Sequence, residues 1–193
     1  RHDTTPIVCT LKEVMPIRIE VVTEKERLAV FKSYISQYHY LSYDRSIGEN
    51  IKYMVSSHNG TPLACVMFGS AAWSCRPRDE AIGWTSDARR KNLQYITGNS
   101  RFLIFPWVHI LHLASHILSQ IAHRVSADWI TKYGHPLYLL ETYVECDRFR
   151  GTCYKAANWS FVGKTTSRGR NSVRGGALLP VKDIYIYPLV PDF

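Results

Sequence analysis

Residues 141–170 read ETYVECDRFRGTCYKAANWSFVGKTTSRGR, and this stretch decides the fold. Pro136 to Glu145 is apolar, aromatic and β-branched, which suits a buried strand. Gly151 marks a turn. Thr152 is placed to cap a short helix running to Asn158, because its hydroxyl can accept from a free first-turn N–H. Trp159 to Thr165 reads as a further strand, and a basic loop follows. No other segment sets so many polar, aromatic and small residues beside a buried strand. In open α/β sheets ligands meet the carboxyl ends of strands, so the active or binding surface is expected here.

Upstream, Pro106 closes the apolar strand Phe102 to Phe105. A long helix is expected over Val108 to Tyr133, with apolar positions Ile110, Leu113, Ile117, Ile121, Val125 and Trp129, and with Gly134 and Pro136 ending it. Asn99 and Arg101 stand at the start of that strand. They suit an anionic group, Arg through its bidentate fork, or else a turn and a surface charge. Ser74 to Gly98 is polar, with a short strand expected at Ala81 to Trp84 and a helix at Asp87 to Tyr95. Asn50–Ser56 and Pro62–Ser70 are strands joined at Asn59-Gly60, a strong hairpin signal. Ile17 to Val22 alternates as a first strand. Thr23 and Glu26 form a capping-box pattern before a helix to about Gln37. That helix empties into an aromatic loop containing His39. There His39 reads as a proton carrier or base-stacking platform, or as a packed histidine with one backbone bond. Val181 to Leu189 is a last strand, expected at the edge. The sum is a mixed α/β sheet with helices on both faces. Residues 1–16 are expected to be an arm or linker and 17–193 a single domain.

With 193 residues the chain is long enough for one substantial core. Its net charge is +8. Eight Lys or Arg and no Asp or Glu lie between Arg148 and Lys182, so the remainder is neutral. A block of this kind suits a polyanion, most simply DNA, contacted through Arg148, Arg150, Lys164, Arg168, Arg170 and Arg174. The plain alternative is a solvated loop. The five cysteines show no CxxC pair, which argues against a disulfide framework or zinc ribbon and suits a cytoplasmic protein. No signal peptide is legible, and no apolar run is long enough for a membrane partner. The start at Arg1, without a methionine, points to a fragment or a trimmed chain. His112 and His116 are helical i,i+4 neighbours that could hold a metal, but the HExxH base is missing and no third ligand is placed by sequence. No metal is expected.

The strand, long helix, strand and short helix of the form Tyr154, Asn158, Trp159 resemble the second half of the Gcn5-related N-acetyltransferase fold, over about Ile17 to Thr165. That family's acyl-coenzyme A signature would fall on His109 to Ala114, where only the last small residue agrees. Acyl-coenzyme A is therefore implied only through a degenerate motif, with the amides near Ala114 and Ser115 able to hold an anion. The resemblance implies a cofactor set of Asn99, Arg101, Ala114, Ser115 and Asn158. It puts Tyr154 beside the reacting group as proton donor, with Arg148 and Lys155 favouring its ionised form. His39 would come from the other half of the sheet, and Glu141 and Asn158 would orient the pair. The alternative makes Tyr154 an amphipathic core residue.

A more specific resemblance rests on YHYL (38–41), GENIKY (48–53), FGSAAW (68–73), NSRFLI (99–104), LASHILS (113–119), LLET (139–142) and Arg148 to Gly163. These runs look like the Druantia anti-phage protein A family, also found with transposons. That implies bacterial defence or mobile-element biology, with nucleic acid and defence or transposase proteins as partners. His39-Tyr40, Phe68-Gly69 and Tyr154 to Thr165 are also similar to the phage DNA-modification protein Mom, acetyltransferase-like and acting on adenine. Two functions are thus expected as alternatives: an enzyme modifying a nucleobase, or a non-catalytic DNA-binding module on the same fold.

Overall fold

The computed structural model describes residues 2–43, 46–166 and 179–191. The elements, in chain order, are β1 (Ile7–Val8), α1 (Leu11–Val14), β2 (Arg18–Val21), α2 (Lys25–Tyr38), β3 (Ile51–Ser56) and β4 (Pro62–Ser70). There follow α3 (Arg76–Ala81), α4 (Ser86–Asn92), β5 (Ile96–Ile104), β6 (Val108–His109), α5 (Leu113–Ala122) and α6 (Val125–Tyr133). Last come β7 (Leu139–Glu145), α7 (Thr152–Ala156), β8 (Ser160–Lys164) and β9 (Lys182–Pro188). Seven strands make one sheet in the order β2-β3-β4-β5-β7-β9-β8. All neighbours are antiparallel except β5 and β7, which run parallel, as expected of strands joined by a helical crossover.

Pairing of β5 with β7 extends from Ile96↔Leu139 to Asn99↔Thr142 and stops there. Beyond it β5 continues against β4 and β7 continues against β9. A register shift between Met67 and Phe68 leaves Ser100 unmatched on β5. Such a bulge bends and twists its strand, and here it coincides with the parting of β5 from β7. The main core buries Phe31 and Ile35 of α2, Ile117 and Ile121 of α5 and Trp129 of α6 with Tyr185 of β9. Ile96, Leu139 and Ile186 pack separately with Ile82 and Trp84, from the α3–α4 segment.

Several expectations are corrected. The helix over 108–133 is two helices, α5 and α6, preceded by a short strand. The break at His123 and Arg124 is invisible in sequence because the apolar spacing continues through Ile121, Val125 and Trp129. Ala81 to Trp84 is no strand; α3 runs through Ala81 and a turn follows, and Gly98 lies inside β5. The last strand β9 is internal, and β8 is the edge. Residue Glu24, without a side-chain cap bond, precedes α2, so the Thr23 capping box does not form. Within the expected arm, β1 pairs with β6 and His2 stacks on Tyr34 at 3.8 Å. No helix among the described residues is long and apolar enough to cross a membrane.

Candidate functional site

Where β5 and β7 part, a cavity of about 690 Å³ opens. Its walls are Asn99 to Ile104 of β5, Thr142 to Val144 of β7, the Tyr38–Leu41 turn after α2 and the Phe149–Tyr154 segment. Tyr154 is buried between them. Its Oη donates to Asn99 Oδ1 at 2.6 Å. The Asn99 amide is fixed in turn, since Nδ2 donates to the carbonyls of Met67 at 3.0 Å and Arg101 at 3.1 Å. Both carbonyls flank the bulge, so the irregular register directs the amide oxygen at Tyr154.

Gly151 lets the chain enter α7. Its φ is 66°, and a Cβ there would meet the Tyr185 hydroxyl at 2.7 Å and the ring at 2.9 Å. Tyr185 is parallel to Tyr154, with ring centroids 6.0 Å apart. Gly151, not Thr152, is the N-cap, and Thr152 is the first helical residue; the expected cap fails because the left-handed turn requires glycine.

Burial, above all, raises the Tyr154 phenol above its ordinary pKa. Neither Arg148 nor Lys155 is a cause, so the expectation of a favoured phenolate is corrected: the group stays a neutral donor. Burial first, then the charge of Arg101, pulls His39 down to about 4. Its Nδ1 accepts from the Leu41 N–H at 3.2 Å. In the neutral ring Nε2 then carries the hydrogen, so His39 is a donor in this tautomer and not a base. Burial likewise raises the Cys153 thiol, which also lines the cavity. Among the described residues the lining includes Arg101, Arg150 and Lys182 and no Asp or Glu. An anionic ligand suits that field.

Four expected members lie elsewhere. Glu141 is fully buried on the face opposite Thr142, because successive strand residues alternate. There it pairs with Arg78 Nη1 at 2.7 Å and accepts from the Ala72 N–H at 2.8 Å. Asn158 is exposed in the turn after α7, with φ 65°. Ala114 and Ser115 begin α5 and are not among the cavity residues; Ser115 Oγ donates to the His112 carbonyl at 3.1 Å. The set expected for acyl-coenzyme A therefore does not come together.

Arg148 sits over the Tyr40 ring at 5.2 Å and donates to Glu145 at 3.0 Å. Lys164 pairs with Asp183 at 2.6 Å, an acid just past the basic block that linear counting excluded. Arg168, Arg170 and Arg174 lie outside the described residues. His112 is exposed at the N-cap of α5, and no group of three metal-ligating side chains occurs among the described residues. Sequence reasoning missed Arg78, Tyr40, Phe149 and Cys153. Only the aromatic density of 38–43 and 149–159 pointed towards the second and third.

The family model of the Druantia protein DruA matches residues 4–178. The chain belongs to the DruA family. This DruA-family chain has the Gcn5-related N-acetyltransferase fold. It is similar to spermidine N-acetyltransferase from Vibrio cholerae in complex with CoA and spermine, at 10% identity and TM-score 0.55, over 88% of this chain and 94% of that one. It is also similar to an N-acetyltransferase from Staphylococcus aureus Mu50, at 10% identity and TM-score 0.52, over 90% and 97%. No match is found among curated proteins.

Proposed function

We propose that this chain is an acetyltransferase-like enzyme of anti-phage defence or mobile elements that modifies a nucleobase in DNA, in the cytoplasm and with partner proteins of its own system. The carrying observation is the Tyr154–Asn99 hydrogen bond of 2.6 Å, which holds a neutral phenol at the cavity between β5 and β7. In an acyl transfer a base nitrogen forms a bond to the donor's carbonyl carbon as the bond to the donor's leaving group breaks. Tyr154, its hydrogen turned from Asn99 to that group, protonates it and takes the proton the base nitrogen loses. The His39 Nε2–H steadies negative charge as it develops. Arg101, Arg150 and Arg148 hold phosphate, and Arg168, Arg170 and Arg174 add positive charge for the same polyanion. Belonging to the DruA family supports the defence setting, and the likeness to Mom, read in the sequence, supports a base as acceptor. Function follows the site, however, and not the fold.

The second reading, a DNA-binding module, draws on Ala114 and Ser115 lying away from the cavity. Mass spectrometry of nucleosides from cells expressing the intact protein separates the two. A modified nucleoside absent from control cells supports the enzyme. Unmodified DNA that still co-purifies with the protein supports the module.

A further inference from the structure

The cavity mouth carries an arrangement that proton transfer does not need. Tyr40 follows α2 and Phe149 precedes α7, yet their ring centroids lie 5.3 Å apart at 56°. Both line the cavity, and both remain exposed, at 39% and 48%. Leu41 beside them is 41% exposed. Large apolar side chains gathered at one mouth forgo burial that folding would otherwise favour. The Arg148 guanidinium lies over Tyr40, and its bond to Glu145 fixes it there. Arg150 lines the same mouth.

We propose that this mouth is a stacking platform for an unpaired base of single-stranded or locally opened DNA. The inference rests on the reading of the cavity as a site that acts on a nucleobase. Aromatic faces stack any base, and neighbouring arginines take the backbone phosphates. A base inside a duplex has its faces covered by its neighbours and cannot use such a platform until it is taken out of the stack. Arg101, Arg150 and Lys182 line the cavity without Asp or Glu among the described residues, which suits a phosphate-bearing strand, and the charge of Glu145 beside the mouth is paired with Arg148.

The test is fluorescence anisotropy of the intact protein with one dye-labelled oligonucleotide, presented single-stranded or as a blunt duplex. Phe149→Ala and Tyr40→Ala should each weaken single-strand binding by about tenfold and leave duplex binding within about twofold. Tyr40→Phe keeps the ring and should bind as the parent does. The rings are half-exposed, so circular dichroism should show folded variants. Equal losses on both DNA forms, no loss, or no single-strand binding by the parent overturns the proposal. So does a loss of coenzyme A binding in the ring variants without a loss of DNA binding, since the platform would then serve a nucleotide cofactor. Nucleoside analysis of the same strands keeps the two readings apart. Platform-dependent binding without a modified base overturns the enzyme and leaves the platform. Parent-rate modification by Phe149→Ala does the reverse.

Discussion

Tyr154 and Asn99 are joined across two elements, α7 and β5, by a hydrogen bond of 2.6 Å. The bond ties the short helix to the bulged strand where β5 leaves β7. Asn99→Ala would strand a buried hydroxyl and free the carbonyls of Met67 and Arg101. The expected cost is about 1–3 kcal/mol of stability, read by urea denaturation.

His39 predicts a pH dependence. Its folded pKa of about 4 lies below the ordinary value of 6.5. Between those values the unfolded chain binds more protons, so folding stability falls as pH drops from about 6.5 towards 4. Above that window the ring is neutral in both states and contributes no slope. His39→Asn should flatten the acid limb of a stability-against-pH curve. An unchanged limb would show that other groups control it.

Arg78 predicts a structural role for Glu141. Burial opposes the Arg78 charge, but the carboxylates of Glu141 and Asp79 outweigh it and hold Arg78 above its ordinary range. Arg78→Met leaves Glu141 charged, buried and without its ion-pair partner, and should cost about 3–5 kcal/mol. Glu141→Gln should lower stability along with any activity. A Glu141→Gln variant that keeps full stability and loses only activity would return Glu141 to a chemical role.

Alternation and turn chemistry made part of the fold legible in the sequence. The β3–β4 hairpin at Asn59-Gly60 is a local pattern, whereas β5 was read only from Phe102 to Phe105 and meets β7 upstream of that run, at Ile96 to Asn99. Tyr154 was singled out through the resemblance of its short helix to the acetyltransferase one, and it lies on the cavity wall. The buried Arg78–Glu141 pair was not, because charged residues within 74–92 read as solvent-facing until three segments meet around them. The same alternation that marked β7 as a strand also places Glu141 and Thr142 on opposite faces. Applied to the site, it would have removed Glu141 from the cavity. Asn99 was found as a residue of interest, but its partner depends on a bulge no local signal announced.

The basic block predicts a salt effect. Replacing Arg168, Arg170 and Arg174 together with Ala should weaken DNA binding. The slope of log K against log salt should fall by about one unit for each phosphate that the variant no longer neutralises. Equal slopes for parent and triple variant would make the block a solvated loop.

The proposed enzyme stands or falls with the chemistry of the Tyr154 hydroxyl. Tyr154→Phe keeps the ring and its stacking on Tyr185 and removes only the donor, leaving Asn99 Oδ1 without its bond from Tyr154. The measurement is phage plating efficiency on cells carrying the complete defence system with this variant, with fold and DNA affinity checked on the purified protein. The expected result is a folded, DNA-binding protein that no longer protects. A folded, DNA-binding variant with full protection would contradict that role and make Tyr154 a packing residue.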